Sequence, residues 1–505
     1  MSRRLSTILQ ASLVVSAALS VSAEAQDCVT VAGTDWVLEG QSVDPIINNT
    51  VGDLLRITAI YEKLAELDNA YEAIPVLAEG WESNEDGTVW TIMLREGVTF
   101  HNGSTLDAAD VIHSLRRAAD PATGSQGASI LTALHAADFE AVDNRTIRIT
   151  LDAPQVELPL LLSTKFAAIV PEGSDTASLQ MNPVGTGPFM IQGTFVAGQQ
   201  ENTLVAFAEY RDEGEPRAEC LTVTGIGDSV ARIAALVGGE VDVLAPVDPT
   251  AVPTLEAAEG VKVLSSPGGS VMTLSMWADT EPFDDPRVRQ AMKLVIDRQA
   301  MIGVALLGAG SPGNDNPVPP SSADAYRSDI IPRDIERAKE LLAEAGYPDG
   351  IEVDLYTSDA LPGMMALAEV YVQMAEPAGI TVNLIRSPAE SYFDEVWLKR
   401  SFLTSSWGGR PTGEALSIAY LCSTTTPETH WCNEEFDALV TQAQATVDAN
   451  ERRKLYQQAQ QILAEDGGVI VPGFLATIVA MREGCTGYEP NNNVNNHDWS
   501  SLACE

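Results

Sequence analysis

Residues 407–412 carry the residue types that best suit the binding of a small polar molecule. They read Trp-Gly-Gly-Arg-Pro-Thr. The tryptophan offers a large apolar face with one hydrogen-bond donor, the glycines let backbone approach a ligand closely, and the arginine offers a planar fork of donors that matches a carboxylate. We predict four ligand contacts here: Trp407, Gly408, Gly409 and Arg410.

The elements around this stretch place it in a loop between a strand and a helix. It follows the apolar pair Phe402-Leu403 and precedes residues 414–421, whose composition favours a helix. In one interpretation, Arg410 faces an anionic group of the ligand. In the other, Arg410 pairs with a neighbouring acid such as Glu414 and contributes nothing to binding. The sequence leaves both interpretations open.

The chain lacks the motifs of the common enzyme classes. It contains no Gly-x-Ser-x-Gly elbow, no His-Glu-x-x-His pair and no cysteine pair at metal-binding spacing. Residues 309–313, Ala-Gly-Ser-Pro-Gly, come nearest to an elbow but run on into a loop. Of the five histidines only His430 has a cysteine nearby, Cys432, which is a weak metal signal. We expect a protein without enzymatic activity, resident metal or cofactor; the alternative is a periplasmic hydrolase or amidase built on a carboxylate pair.

The charge balance is strongly acidic. The 505 residues include 71 Asp and Glu against 30 Lys and Arg, which gives a net charge of −41 at pH 7. Because no long basic run is present, we exclude nucleic acid and anionic membrane surfaces as partners. A composition with 45% apolar and 20% charged residues is typical of a globular protein. A chain of this length requires two or three domains.

The N-terminus has the pattern of an export signal. Two arginines precede the mostly apolar residues 8–21, and Ala-Glu-Ala at 23–25 forms a small-x-small cleavage site. We expect residues 1–25 to be a signal peptide and Gln26 to begin the mature chain. Because Cys28 lacks the small residue that precedes a lipidated cysteine, we do not expect a lipoprotein.

The six cysteines are interpreted as three disulfides, because exported proteins fold in an oxidising compartment. About fifteen pairings are possible. We favour one pair that flanks a short loop and a second that flanks the C-terminal tail. In the third pair each cysteine begins a β-type run, which favours two adjacent strands. The favoured pairs are Cys422 with Cys432, Cys485 with Cys504, and Cys28 with Cys220.

Residues 77–111 predict a succession of strand, turn, strand and capped helix. An Asp-Gly pair at 86–87 is a strong hairpin signal. Residues 89–95 alternate as a strand whose one face is entirely apolar. Asp107 stands where a helix N-cap belongs.

This stretch resembles the signature of the family 5 solute-binding proteins of ABC transporters, the dipeptide-, oligopeptide- and nickel-binding receptors. The resemblance covers nearly all of the mature chain and departs at Asp107, where Ser or Thr is usual. The matching motifs are Gly-Trp at 80–81, Leu-Arg-Glu-Gly-Val at 94–98, Phe-His-Asn-Gly at 100–103, Ala-Asp-Val at 109–111, Pro-Val-Gly-Thr-Gly-Pro-Phe at 183–189 and Pro-Phe-Asp-Asp-Pro-Arg-Val-Arg-Gln-Ala at 282–291.

The resemblance implies an α/β fold with two lobes: a type II, cluster C-like periplasmic binding protein with an extra domain. Hinge crossings are then expected near 281–282 and 482–484. The implied division is domain I of lobe 1 in residues 26–69, 183–281 and 484–505, domain II as the extra domain of lobe 1 in residues 70–182, and domain III, which is lobe 2, in residues 282–483.

Apolar spacing predicts the helices of the later regions. A helix over residues 228–238 is expected to bury its face of Val230, Ile233, Ala234 and Val237. A further helix is predicted over 333–346. The match of residues 282–291 to the family implies a helix that continues through 298, and residues 434–464 are interpreted as helical. Residues 350–356 and 380–385 are predicted strands around a helix at 364–376, a rhythm typical of an α/β domain.

Loop position and the resemblance also extend the candidate ligand site. In peptide-binding members of the family a Trp-x-x-Asp pattern lies at the position of Trp407, and its aspartate receives the ammonium group of the peptide. Arg410 stands in that place and reverses the charge, which argues against ordinary dipeptide binding. The further candidate contacts at the cleft are Thr34, Asp35, Trp36 and Trp277.

We therefore expect a periplasmic substrate-binding component of an ABC transporter. It captures a peptide-like or other small organic solute between its lobes and delivers it to inner-membrane permease subunits. We expect it to act as a monomer. A carrier of a metal complex, like the nickel-binding relatives, is a further alternative.

Overall fold

The computed structural model describes residues 28–34, 41–47, 50–191, 193–199, 201–493 and 496–505. The predicted signal peptide therefore lies outside the described residues. The described parts of the chain form a mixed α/β protein with one large sheet and three small ones. None of their helices has the length and apolarity that crossing a membrane requires.

The strands are, in chain order, β1 (Val29–Gly33), β2 (Ala65–Leu67), β3 (Ala73–Pro75), β4 (Ala78–Ser83), β5 (Val89–Leu94), β6 (Asp138–Asp143), β7 (Thr146–Thr150), β8 (Phe189–Ile191), β9 (Glu201–Ala206), β10 (Cys220–Gly225), β11 (Val243–Leu244), β12 (Val261–Met276), β13 (Gly310–Pro312), β14 (Ile351–Thr357), β15 (Ile380–Arg386), β16 (Phe402–Trp407), β17 (Val469–Arg482), β18 (Cys485–Thr486) and β19 (Ala503–Cys504).

The α-helices are α1 (Val51–Ile60), α2 (Ala108–Ala119), α3 (Leu158–Leu161), α4 (Thr176–Met181), α5 (Ser229–Gly238), α6 (Val252–Glu256), α7 (Pro286–Leu294), α8 (Arg298–Ala305), α9 (Ile335–Glu344), α10 (Met364–Ala375), α11 (Tyr392–Glu395), α12 (Thr412–Tyr420), α13 (Glu434–Gln444) and α14 (Ala449–Asp466).

Two long strands join the halves of the large sheet, whose order is β15-β14-β16-β12-β17-β11-β1-β10-β9-β8, with β13 also on β17. The first part of β12 pairs with the end of β17, and its last part pairs with β16. The end of β17 also pairs with β11. β12 and β17 therefore cross from one half of the molecule to the other, and we call the half that contains β1 lobe 1 and the half that contains β16 lobe 2.

The hydrophobic clusters change partway along these two strands. On β12, Val261 packs in a cluster of lobe 1 with Ala480 of β17. Farther along the same strands, Met272 and Val471 pack in clusters of lobe 2. The packing thus changes from lobe 1 to lobe 2 inside β12 and β17, not at the expected crossings near 281–282 and 482–484, and we propose that the boundaries of lobe 2 lie within these strands.

The stretch at 77–111, in the segment proposed as domain II, forms the predicted strands, turn and capped helix. The strands β4 and β5 form a hairpin whose turn contains Gly87, with φ of 70°. Trp90, Ile92 and Leu94 are buried in a cluster with α2. Asp107 caps α2 through the backbone N–H groups of residues 109 and 110, which satisfies donors that the helix leaves free.

The predicted apolar face of α5 is wrong. The side chains of Val230 and Val237 are exposed, whereas Ala235 and Leu236 are buried in the cluster of lobe 1. Arg232 lies on the buried face and donates hydrogen bonds to the carbonyl oxygens of residues 226 and 227. These hydrogen bonds reduce the free-energy cost of burying the guanidinium. The buried face of the helix therefore differs from the face that the hydropathy pattern favours.

Two of the predicted long helices are each divided in two. The helix expected to continue through residue 298 ends at Leu294, and α8 begins at Arg298. Asp297 caps α8 by accepting a hydrogen bond from the backbone N–H of Ala300. The helical region at 434–464 is likewise divided into α13 and α14, with Asp448 as the cap of the second. In both regions a capping aspartate lies inside what hydropathy alone marks as one helix.

All three favoured disulfides are confirmed. They are Cys28–Cys220, Cys422–Cys432 and Cys485–Cys504. The first joins neighbouring parallel strands, since β1 pairs with β10 from Val29 opposite Leu221. The last joins the paired strands β18 and β19, which fixes the C-terminal segment to the end of β17.

We predict that the unreduced protein has no reactive thiol, because every cysteine is paired. Titration with a thiol reagent in denaturant should detect less than one thiol per chain, and six after reduction. Replacing both Cys485 and Cys504 by Ser should lower the free energy of unfolding by about 2–5 kcal/mol or less, measured by urea denaturation. Two or more reactive thiols in the unreduced protein would contradict the pairing.

Candidate functional site

The carboxyl ends of parallel strands from the two lobes point toward each other. In lobe 1, β1 runs parallel to β10 and β11, so their carboxyl ends lie on the side where β17 enters the lobe from lobe 2. In lobe 2, β16 runs antiparallel to β12 and parallel to β14, so it ends on the side that faces lobe 1. Ligands of open α/β sheets bind beyond the carboxyl ends of strands, which places the candidate site between the lobes.

The predicted ligand loop begins at this junction. Trp407 is the last residue of β16 and pairs with Val271 of β12. The pairing of β12 with β17 shifts register just before it, between Ser266 and Ser270. The loop at 408–411 therefore leaves lobe 2 beside the point where β12 arrives from lobe 1, and α12 starts immediately after it.

Gly409 is in close contact with lobe 1. A Cβ atom at this position would lie 2.0 Å from the hydroxyl oxygen of Tyr71 and 2.4 Å from the carbonyl oxygen of Gly269. Tyr71 lies in the turn between β2 and β3 and adopts φ of 62°. Its hydroxyl group donates to the carbonyl oxygen of Asn492 at 3.4 Å. Glycine at 409 is thus the residue that allows the lobes to meet here.

Tyr71 is a contact that the sequence analysis missed. Burial raises the pKa of its phenol well above the ordinary value, and the Arg410 guanidinium partly opposes that rise. The hydroxyl group therefore stays protonated at neutral pH and remains a donor. A tyrosine in a short turn between weak strands has no sequence signal that marks it as part of a site.

Arg410 forms an ion pair with Glu414, as the second interpretation of this residue expected. Its Nε donates to Glu414 Oε1 at 2.8 Å, and its Nη1 donates to the carbonyl oxygen of Gly408 at 2.7 Å. The guanidinium lies 5.4 Å from the ring centroid of Trp407. The side chains of Arg410 and Glu414 are 25% and 28% exposed, so this pair contributes little to stability. No described residue accepts a hydrogen bond from Nη2, which leaves part of the donor fork available.

The indole of Trp407 also has an unused donor. Its Nε1 is buried, and no described residue accepts its hydrogen. The ring lies 6.1 Å from that of Trp397, measured between centroids. It lines a cavity of about 10 Å³ with Val271 and Arg410. A buried indole donor without a protein partner is uncommon, and it is consistent with an acceptor supplied by a ligand or water.

A second cation that the sequence analysis missed lies near the loop. Lys165 of domain II is half-buried, and its ammonium group lies 5.0 Å from the ring centroid of Phe166. Desolvation lowers its pKa, and Arg410 lowers it further while Asp53 raises it. Lys165 lines a cavity of about 380 Å³ that reaches Asn69 in the same turn as Tyr71. No periodicity or motif distinguishes this single lysine in the sequence.

The structure does not bring Trp277 to the loop. Along the pairing of β12 with β16, Met276 lies opposite Phe402 while Val271 lies opposite Trp407. Trp277 follows the far end of β12, roughly 17 Å of strand away from the ligand loop. There its ring stacks on that of His430, with 4.0 Å between centroids.

The other candidates from the sequence are placed only in part. Thr34 follows the last residue of β1 and so lies at the edge of lobe 1 that faces lobe 2. Asp35 and Trp36 lie outside the described residues. His430 and Cys432 do not form the metal-binding pair that the sequence weakly indicated, because Cys432 is in a disulfide. His430 instead contacts the carboxylate of Asp279.

The family of the chain follows from a match to a family model. Residues 72–428 match the model described as bacterial extracellular solute-binding proteins, family 5 middle. The chain belongs to this family. Its members are the solute-binding components of ABC importers, so the chain is a binding protein and not an enzyme. The two-lobed α/β fold expected from the resemblance is confirmed.

Individual relatives cover almost the whole chain. The glutathione-binding protein GsiB of Escherichia coli (strain K12) is 29% identical over 485 residues, 92% of each chain. The binding protein AgaA of A. tumefaciens R10, solved with agropinic acid, is 25% identical with a TM-score of 0.75, over 95% of this chain and 99% of that one. The binding protein DppA of Helicobacter pylori, solved with the peptide STSA, is 25% identical with a TM-score of 0.75, over 94% and 98%.

We predict that Gly409→Ala prevents the lobes from meeting. The added methyl group would overlap the Tyr71 hydroxyl and a backbone carbonyl, and backbone cannot yield as a flexible side chain does. Solution scattering of the variant, in the presence of any solute that compacts the wild type, should show a radius of gyration that stays at the solute-free value.

Gly303→Ala, on α8 of lobe 2 and outside the candidate site, is the matched control, since a Cβ atom there would have no neighbour within 4 Å. This variant should compact as the wild type does. Full compaction of Gly409→Ala would contradict the contact described between the loop and the turn of lobe 1.

Proposed function

We propose that this protein captures a small peptide-like or other organic solute that carries an anionic group, and that it delivers the solute to the permease subunits of an inner-membrane ABC transporter. It acts as a monomer in the periplasm. The solute lies between the lobes, beside residues 407–410, and the lobes close over it by bending within β12 and β17.

One observation carries the choice of an anionic solute: Arg410 stands at the junction of the lobes with part of its donor fork unused. Its Nη2 group, which donates neither to Glu414 nor to Gly408, can form a charge-assisted hydrogen bond with a carboxylate oxygen, and the guanidinium stays charged at neutral pH. The neighbouring Lys165 adds a second positive charge, and the buried Trp407 indole adds a neutral donor. Arg410 and Trp407 line the same cavity and offer a positive charge and a neutral donor there, while Lys165 adds positive charge from domain II.

The relatives support the same class of solute. One is named for glutathione and another was solved with agropinic acid. Both compounds carry carboxylate groups, and the first is a peptide. A dipeptide held by its ammonium group would instead place a positive charge beside Arg410, which is unfavourable.

Closure strengthens each of these contacts. When the lobes meet, water leaves the site and the effective dielectric constant falls, so a charge-assisted hydrogen bond becomes stronger than it is in water. Arg410 can keep its ion pair with Glu414 during closure, because Glu414 lies in the first turn of α12, directly after the loop that holds Arg410. A solute carboxylate then adds to the fork through Nη2.

Mass spectrometry of the protein purified without denaturation identifies the solute. We expect a compound with at least one carboxylate or comparable anionic group. A bound solute without any anionic group would contradict the proposal for the site while leaving membership in the family intact.

We predict that Arg410→Ala weakens binding of that solute by about 30-fold or more, because truncating one partner of a desolvated charge pair costs on the order of 2–5 kcal/mol. Arg410→Lys should restore only part of the affinity, since the planar fork is lost. Isothermal titration calorimetry measures both effects.

The control is Arg148→Ala, which removes an arginine paired with Glu140 on the surface of domain II. Its affinity should equal that of the wild type. Unchanged affinity in Arg410→Ala would show that the arginine serves only its ion pair with Glu414.

A further inference from the structure

Domain II touches lobe 2 at a second place, through Glu157. This residue precedes α3, and its Oε2 accepts a hydrogen bond of 2.6 Å from the hydroxyl group of Tyr456 on α14. Its Oε1 lies 3.5 Å from Nε of Arg452 on the same helix. The adjacent backbone N–H of Val156 donates to the carbonyl oxygen of Gln444 at 3.4 Å. Three contacts from two neighbouring residues thus join the edge of domain II to lobe 2.

Glu157 also lies at the beginning of α12, the helix that follows the ligand loop. A Cβ atom on Gly413 would lie 2.7 Å from Glu157 Oε2 and 2.4 Å from the Tyr456 hydroxyl oxygen. The N-cap of this helix is Pro411, which offers no side-chain hydrogen bond. The first N–H groups of a helix carry partial positive charge, so a carboxylate beside them is favourable. Glu157 adds a negative charge from the other lobe to that of Glu414, which lies in the first turn of α12 and pairs with Arg410.

The members of this contact belong to different cores. Leu158, next to Glu157, is buried in the cluster of domain II, whereas Tyr456 is buried in a cluster of lobe 2. Glu157 is only 14% exposed. Burial raises the pKa of its carboxyl group, Tyr456 and Arg452 oppose the rise, and Asp324 and Glu72 add to it. When the lobes separate, the carboxylate returns to water and its contacts with Tyr456 and Arg452 are lost.

We propose that Glu157 is a positioning residue that holds the lobes closed and fixes α12, and with it the ligand loop, in the solute-binding arrangement. This proposal rests on the closure proposed above. Glu157 does not touch the solute. It couples the two lobes through Tyr456, Arg452 and the start of α12, while the contact of Tyr71 with Gly409 couples them at the loop itself.

The experiment measures the distance between the lobes directly. Spin labels are attached to the full chain at Val230→Cys on lobe 1 and Val304→Cys on lobe 2; both positions are exposed, at 73% and 64%, and all native cysteines are paired. Pulsed electron resonance gives the distance distribution without solute and with either of two probes. These are glutathione and the low-molecular-mass filtrate of heat-denatured wild-type protein.

In the wild type, one of the probes should shift the distribution to shorter distances. Glu157→Ala and Tyr456→Phe should each require about ten-fold more probe for half of that shift, as expected when one charge-assisted hydrogen bond between the lobes is lost. Glu157→Gln keeps an acceptor for the tyrosine hydroxyl and should recover part of the loss. The melting temperature without probe should be unchanged in all three variants, which a purely structural role would not predict.

Glu140→Gln is the matched control, since Glu140 pairs with Arg148 within domain II and should leave the response unchanged. If Glu157→Ala responds to the probe like the wild type, the role of Glu157 is overturned and solute capture stands. If neither probe shortens the distance in the wild type, closure itself is overturned, and the role of Glu157 with it.

Discussion

The pairing of β12 with β17 is the constraint on which the rest of the structure depends. These strands run through both lobes, so each lobe builds its part of the large sheet on the same two strands. Their hydrogen bonds determine where β1 and β16 end, and therefore where the two lobes face each other. A register shift in the middle of the pair, between Ser266 and Ser270, interrupts the ladder at the junction. This is why we propose that the lobes bend there, where few regular hydrogen bonds would be disturbed.

Buried ion pairs connect the segments that the sheet leaves apart. Asp44, near the start of the described chain, accepts hydrogen bonds from Arg117 of α2 and ties domain I to domain II. Within lobe 2, Arg298 at the start of α8 pairs with Asp315, and both side chains are almost fully buried. Removing one partner of such a pair leaves an uncompensated charge in a low-dielectric interior, so each pair fixes its segments in one arrangement. We therefore expect relative movement to occur at the junction and not within either lobe.

The candidate site lies where the two lobes come into contact. Gly409 brings backbone against Tyr71, while Arg410 and Trp407 keep unused donors beside the same contact. Contacts between the lobes at Tyr71 and at Glu157 lie on either side of the start of α12. Because several weak contacts form together only when the lobes meet, the solute does not have to supply all of the free energy of closure.

Local chemistry in the sequence determined the turns, most strands and the helix caps, because N-caps, turn glycines and alternating strands depend on neighbours in the chain. Motifs indicated the family. The bridge between Cys28 and Cys220, which are 192 positions apart, depends on the parallel pairing of β1 with β10. The sequence also singled out residues 407–410. Only the tertiary structure decided which face of α5 is buried: Ala235 and Leu236 pack into lobe 1, and carbonyl oxygens of residues 226 and 227 accept hydrogen bonds from the buried Arg232. It separated Trp277 from the loop, because β12 and β16 run in opposite directions. It added Tyr71, Lys165 and Glu157, whose partners lie hundreds of positions away in the chain and leave no local pattern, since contacts between lobes depend on how whole sheets meet.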